Sequence, residues 1–159
     1  MRQQPANKLS GKGLTVWQLY GMLQTLLVLL VAVGAGVLAY LFDWPFWVYI
    51  AAAAVTIVYG ALFGYVFPRI RWARWRYEVR ETEIELQHGI FIVKRTLIPM
   101  VRVQHVDTAQ GPILKRYALS AISISTAATV HSIPMLAAEE ADELRNRISA
   151  LAKVAEDDV

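Results

Sequence analysis

A histidine and an aspartate two residues apart, His105 and Asp107, are the sequence feature closest to a catalytic arrangement. They lie in an alternating stretch that predicts a β-strand, so both side chains would extend from one face. A carboxylate that orients a histidine is how many enzymes prepare a general base beside a nucleophile. The hydroxyl residues further along the chain have no G-x-S-x-G turn to expose them as nucleophiles. We therefore expect a solvated or hydrogen-bonded pair without a catalytic role.

The remaining residue types do not favour metal or cofactor chemistry. The chain has no cysteine, which excludes disulfides, thiolate metal ligands and cysteine nucleophiles. The other two histidines, His88 and His131, belong to no motif, and neither a phosphate-binding loop nor a dinucleotide fingerprint occurs. The sequence therefore predicts a protein that is not an enzyme and has no cofactor.

Two long apolar runs near the N-terminus predict the longest helices of the chain. Residues 17–42 and 45–67 contain no Asp, Glu, Lys, Arg or His. A bilayer core needs about 20 apolar helical residues, so each run is long enough to span it. The connection between them is only a few residues, which predicts a transmembrane hairpin over residues 17–68. A basic arm, residues 1–16, precedes this hairpin, and a further domain, residues 69–159, follows it.

Basic residues flank the hairpin on both sides, whereas its tip carries one acidic residue, Asp43. Cytoplasmic flanks carry an excess of Lys and Arg, so this pattern places both termini in the cytoplasm. The group after the second run would also anchor the chain at the anionic inner leaflet. It consists of Arg69, Arg71, Arg74 and Arg76. Topology and anchoring are the expected roles, and recognition of a specific lipid head group is the alternative.

The second run carries a row of small residues at four-residue spacing. The row consists of Ala52, Thr56, Gly60 and Gly64, and it includes a GxxxG motif. Such a ridge lets a second helix approach closely. Two interpretations remain open, and the favoured one is that the two helices of one chain pack here. The other is that the ridge binds a second copy or a partner helix.

The rest of the chain predicts an antiparallel β domain with a closing helix. Short alternating segments between polar turns indicate successive strands, including one over residues 90–98 and another over about 101–108. From about Ala138 the apolar period changes to that of a helix, with Ala141, Leu144, Ile148 and Leu151 on one side. Residues 156–159 form an acidic tail.

The stretch IPMVRVQHVD at 98–107, followed by QGPILKR at 110–116, resembles the signature of bacterial pleckstrin-homology-like (PH-like) domains. With the helix pair directly upstream, nearly the whole chain is similar to the short YdbS-like membrane proteins of bacteria. This resemblance implies an α+β membrane protein in which a PH-like β barrel or sandwich, closed by the C-terminal helix, follows the hairpin. It also implies a bacterial cell membrane location. The family commonly has glycine where this chain has Ala118.

The resemblance implies partnership with a larger membrane protein that carries several PH-like domains, and a role in cell-envelope stress. The expected function is a membrane-anchored interaction module that assembles with such a protein or with itself. The alternative is an accessory subunit of a transport or export complex. The candidate interaction surface consists of Arg102, Gln104, His105, Asp107, Gln110, Lys115 and Arg116.

The distribution of charge argues against two other ligand classes. Phosphoinositide-binding PH domains place basic residues in the turn after their first strand, whereas this chain has Glu81 and Glu83 there. Nucleic acid is also not expected, because the basic residues concentrate at the membrane junction, where Trp72 and Trp75 suit interface anchors better than stacking platforms.

Overall fold

The computed structural model describes residues 4–157, which divide into two compact units. In chain order the elements are β1 (Asn7–Lys8), α1 (Gly11–Leu41), α2 (Trp47–Tyr59), a π-helix (Gly60–Val66), α3 (Phe67–Arg74), β2 (Arg76–Val79), β3 (Glu83–His88), β4 (Lys94–Pro99), a 3-10 turn (Met100–Arg102), β5 (Val103–Ala109), α4 (Pro112–Arg116), β6 (Leu119–Thr126), β7 (Val130–Ala137) and α5 (Ala138–Asp157).

The first unit, Leu14–Ile70, is the apolar hairpin. Helix Gly11–Leu41 has 31 residues, and the helical stretch Trp47–Arg74, from α2 through α3, has 28. Both are long and apolar enough to cross a membrane. Their side chains are largely exposed, as expected for helices whose solvent is lipid. The two predicted transmembrane helices are therefore present.

The second helical stretch is irregular where it approaches Pro68. The π-helix precedes it, and the N–H of Phe67 donates to the carbonyl of Leu62, five residues back. Proline cannot donate to the carbonyl four residues earlier, and its ring crowds that carbonyl. A π-helical turn widens the backbone locally, and such turns mark interruptions of the regular ladder. The helix thus continues past the proline, seven residues beyond the predicted end of the second run.

The second unit, residues 4–13 with 71–157, is the β domain. Its strands form two antiparallel sheets, ordered β1-β2-β3-β4 and β5-β6-β7. Helix α5 packs along β5 and β6. Within the described residues the two sheets do not join into a closed barrel, so the sandwich form of the prediction is correct and the barrel form is not.

The first strand of this unit comes from ahead of the hairpin. Asn7 and Lys8 pair antiparallel with Tyr77 and Arg76 of β2, and Leu9 directly after them is buried. The sequence predicted only a basic arm here, because a two-residue strand is too short to show alternation. The segment extends the first sheet and protects the edge of β2, which would otherwise present unpaired backbone groups.

The core is built from alternate residues of the strands and one face of α5. The side chains that are 0% exposed include Ile84, Met100, Leu119, Ile122, Ile124, Ile133, Leu136, Ala141 and Ile148. Leu144 and Leu151 of the predicted helical stripe are half-buried. The stripe therefore closes the sheets as predicted, with Ala141 and Ile148 at its centre.

Candidate interaction surface

Strand β5 carries the central part of the candidate surface, and it lies at the edge of its sheet. The register to β6 shifts between Val103 and His105, so two residues of β5 oppose one of β6. A bulge of this kind re-aims side chains. As a result the neighbours Gln104 and His105 are both exposed, whereas regular alternation would turn one of them inward.

A groove of about 300 Å³ lies between this bulged strand and α5. Its lining consists of Val103, Gln104, His105 and Val106 from β5, with Ser149, Ala152 and Lys153 from α5. The amide, imidazole and ammonium groups offer both donors and acceptors along an exposed strand edge. An extended polypeptide segment is a ligand that such an edge can hold, through backbone and side-chain hydrogen bonds together.

The side chains of His105 and Asp107 contact each other at the surface, with 3.1 Å between Nε2 and Oδ1. Their side chains are 70% and 58% exposed. Water competes for both groups at this exposure, so the pair adds little stability and fixes the ring orientation only loosely. The geometry is that of a polar pair on an open surface and does not provide an enclosed acid–base site.

The other members of the predicted surface lie on different elements. Gln110 is bound internally, because its Nε2 donates to the backbone carbonyl of Leu119 over 2.8 Å. This bond holds the chain between β5 and β6, which explains the glutamine without a ligand. Arg102 is exposed in the 3-10 turn, and Lys115 and Arg116 are exposed on α4. The structure thus places Gln104, His105 and Asp107 together on one strand and the cationic members on other elements.

The four arginines of the predicted membrane anchor also divide between two elements. Arg69, Arg71 and Arg74 lie on α3, whereas Arg76 is the first residue of β2 and pairs with Lys8 and Gln87. The guanidinium of Arg69 stacks on the ring of Tyr65, 5.1 Å from its centroid. Arg74 donates a hydrogen bond to the carbonyl of Ile90.

The row of small residues has two different environments within the hairpin. A Cβ on Gly60 would lie 2.9 Å from Cγ2 of Thr25, and a Cβ on Gly21 would lie 2.9 Å from Cα of Gly64. The two helices of one chain therefore meet closely at this end of the ridge. At the other end, Ala52 and Thr56 line an apolar groove of about 350 Å³ opposite Ala32 and Gly36 of α1.

One exposed feature was missed by the sequence reading. The strand predicted over 90–98 begins only at Lys94, and residues 89–93 form a loop. Phe91 and Ile92 are 82% and 83% exposed in it. The sequence signal for a loop is Gly89, directly before the apolar run. In the structure its φ is +136°, a conformation that other residues rarely adopt. An apolar run after such a glycine is as consistent with a turn as with a strand.

Comparison with known proteins adds to these observations. The model of the family described as "Bacterial PH domain" matches residues 16–152. The "UPF0699 transmembrane protein YdbS" of Bacillus subtilis (strain 168) is 51% identical over 159 residues, which is 100% of both chains. The "UPF0699 transmembrane protein YdbT" of the same organism is 30% identical over 90 residues, 52% of this chain and 18% of that protein. No solved structure matched. Because the family model covers most of the chain, including both helices and the β domain, the protein belongs to the bacterial PH domain family.

Proposed function

We propose that this protein is a membrane-anchored, non-enzymatic interaction module. Its PH-like unit docks a larger membrane protein that carries related PH-like domains. The observation that carries the proposal is the bulged edge strand β5. It exposes Gln104, His105 and Asp107 beside a groove against α5. A strand edge with exposed polar side chains is suited to a polypeptide partner, because backbone pairing supplies affinity and the side chains supply selectivity.

The comparisons support the choice of a larger relative as the partner. YdbT matches only 90 residues of this chain, and that segment is 18% of its length, so it is a much larger protein with one region like this one. Related domains that share a strand order can pair through equivalent edges, which makes a larger relative a suitable partner. Crosslinking of position 105 to a second copy of this chain, in the test below, would indicate self-association through the same edge.

Transport is the less favoured function. Residues 17–42 and 45–67 contain no Asp, Glu, Lys, Arg or His. Ion and proton pathways usually need ionisable groups within the membrane. We therefore assign the hairpin to anchoring and helix packing.

We also propose that both ends of the hairpin face the cytoplasm of a bacterial cell. Pairing of β1 with β2 requires residues before and after the hairpin to lie on one side of the membrane, and an even number of spans satisfies this. The basic residues on that side and the acidic Asp43 at the tip select the cytoplasm. Reporter fusions at the C-terminus and at the tip test the assignment. Activity of a periplasm-dependent reporter at the C-terminus would reverse it.

Photo-crosslinking in native membranes tests the docking surface. A photoreactive amino acid at position 105 should crosslink to a second PH-like membrane protein, identified by mass spectrometry. The same probe at position 132, an exposed residue of β7 outside the groove, is the matched control. Crosslinks only to lipid, or the same protein from both positions, would contradict a specific surface on β5.

A triple variant supplies the complementary loss-of-function test. Q104A/H105A/R116A removes exposed side chains and leaves the internal bond of Gln110 intact, so the fold should be retained. We expect loss of co-purification of the crosslinked partner. The control variant S132A/E143Q/R147A changes three exposed polar residues outside the groove and should retain the partner. A folded triple variant that retains the partner would place the binding surface elsewhere.

A further inference from the structure

The loop between β3 and β4 exposes an apolar tip that the β domain does not use in its core. Phe91, Ile92 and Val93 are 82%, 83% and 47% exposed. Burial of apolar side chains is the main driving force of folding, and single exposed residues are common, but three in succession on a loop tip call for an explanation. The tip is a protrusion and not a groove, so it suits a ligand that it can enter.

The backbone fixes this protrusion. Gly89 has a φ of +136°, and a Cβ on it would lie 1.9 Å from the carbonyl oxygen of Ile92. Only glycine allows the chain to turn back on itself so closely. The side chain of Arg74 donates to the carbonyl of Ile90, the residue after Gly89. The close approach of Gly89 to Ile92 and the bond from Arg74 together hold the loop, and Phe91 and Ile92 are left exposed.

Basic residues lie on both sides of the tip in the chain. Lys94 directly follows it and is exposed, and Arg74 donates to the carbonyl of Ile90, directly before it. Arg95, the next residue of β4, is paired with Glu85 over 2.8 Å, so its charge is offset within the sheet. Apolar side chains flanked by basic ones match the interface of an anionic bilayer, which offers apolar chains below a negative surface.

The order of elements along the chain also favours a bilayer as the ligand of the loop. Arg74, which binds the loop, is the last residue of the helical stretch Trp47–Arg74 that is apolar enough to cross a membrane. It lies four residues beyond Ile70, the end of the apolar unit. A tether of this kind raises the effective concentration of bilayer at the loop, so weak insertion is sufficient. A protein partner fits less well, since a stable interface needs about 800 Å² on each side and is depleted of lysine.

We propose that loop 89–93 inserts Phe91 and Ile92 into the interface of an anionic bilayer as a second attachment of the PH-like unit. The attachment is separate from the hairpin and from the β5 surface. It would restrict the rotation of the unit about its tether and so present the β5 groove in a defined orientation.

A single fluorescent label tests the proposal in the full-length chain. Because the protein has no cysteine, I92C creates one labelling site, and A128C, on the exposed turn between β6 and β7, creates the control. Both are reconstituted in vesicles of phosphatidylcholine with phosphatidylglycerol that carry a lipid-attached quencher. We expect several-fold stronger quenching at position 92 than at position 128, and weaker quenching in F91S/I92C and K94Q/I92C. High salt should also reduce it, because salt screens the basic residues.

Each other result contradicts the proposal in a defined way. Quenching of the I92C label by aqueous iodide to the same extent as the A128C label would show that the loop stays in water. Shielding from both quenchers would show that a protein, a second copy or another chain, covers the tip. Equal lipid quenching in phosphatidylcholine alone would remove the preference for anionic lipid.

Discussion

The phenol of Tyr77, on β2, donates a hydrogen bond to the carboxylate of Glu140 in the first turn of α5. Tyr77 is 2% exposed, so burial, followed by the hydrogen bond and the charge of Glu140, raises the pKa of its hydroxyl above the ordinary value. The bond connects the first sheet to the closing helix across 63 positions of sequence. It also gives a buried hydroxyl the partner that it requires.

Removal of Glu140 and removal of the Tyr77 hydroxyl should lower the unfolding free energy by unequal amounts. Glu140→Ala leaves the buried phenol without an acceptor and should cost about 1–3 kcal/mol of unfolding free energy. Tyr77→Phe removes the hydroxyl and leaves a carboxylate that water can solvate, so it should cost about 1 kcal/mol. Chemical denaturation of the full-length protein in detergent, followed by fluorescence, measures both. No loss in either variant would show that α5 is not held by this bond, and equal losses would contradict the cost assigned to the unpaired phenol.

Tyr77 also predicts a pH dependence. Because its folded pKa is raised, the folded state keeps the proton, and its stabilisation is present below the unfolded pKa of about 10. Stability should fall as pH rises above that value, and the fall should be smaller in Tyr77→Phe. Denaturation midpoints between pH 8 and 11 test this, and an identical fall in both proteins would contradict it.

A second pH dependence, of opposite direction, comes from His88. Its ring stacks on Trp75 with 5.9 Å between centroids. Burial first, then the charges of Lys94, Arg71 and His131, lower the pKa of its imidazole. The folded state therefore disfavours the proton, so stability present above the unfolded pKa of about 6.5 is lost as pH falls below it.

His88→Gln should accordingly reduce the loss of stability between pH 8 and pH 5. Thermal or chemical unfolding of the wild-type and variant proteins over this range gives the two slopes. If the slopes are the same, other groups dominate the acid sensitivity of the domain.

The closing helix can be tested at its centre and its edge. Ile148 is 0% exposed, whereas Val154 on the same helix is 59% exposed. Ile148→Ala should destabilise the domain by about 2–5 kcal/mol, because it removes apolar contacts and leaves a cavity. Val154→Ala should change the stability by less than about 0.5 kcal/mol. Similar small effects of both would mean that α5 is a free arm.

The sequence predicted the elements that have a periodic pattern of their own. It did not predict those whose conformation depends on residues far away in the chain. Long apolar runs and the stripe through Ala141 and Ile148 are periodic, so the helices were found. Strand β1 is two residues long and takes its conformation from its partner β2, which lies beyond the hairpin. Residues 90–93 were predicted as strand because they are strand-formers, and the backbone conformation of Gly89 overrides them.

The candidate site shows the same division. Composition identified a polar strand around His105, but the bulge that exposes Gln104 beside it depends on the register with β6. The internal bond of Gln110 to Leu119 could not be predicted, since it joins residues across a turn whose shape was unknown. Sequence thus predicted a candidate surface centred on one strand and did not distinguish its exposed side chains from one that is bound within the domain.

A glycine at position 118 should stabilise the domain, because Ala118 has a strained backbone conformation. It has a φ of +53°, the left-handed conformation in which a Cβ costs about 1–2 kcal/mol, and its carbonyl accepts from the N–H of Ala138. This is the position at which the resemblance to the family led us to expect glycine. Ala118→Gly should raise the unfolding free energy by up to about 1 kcal/mol after the greater entropy cost of glycine. A lower denaturation midpoint would show that the turn is not strained.

Two glycines of α1 make a matched pair for the packing of the hairpin. A Cβ on Gly21 would lie 2.1 Å from the carbonyl oxygen of Phe63, whereas a Cβ on Gly34 would meet nothing within 4 Å. Gly21→Ala must therefore separate the two helices, and overpacking of this kind typically costs about 1–3 kcal/mol. Gly34→Ala has space and improves helix propensity, so it should be neutral or slightly stabilising. Unfolding by sodium dodecyl sulfate in mixed micelles, followed by circular dichroism, compares the two. If both variants unfold at the wild-type detergent fraction, the helices do not make this contact, and the row of small residues is then available to a second chain.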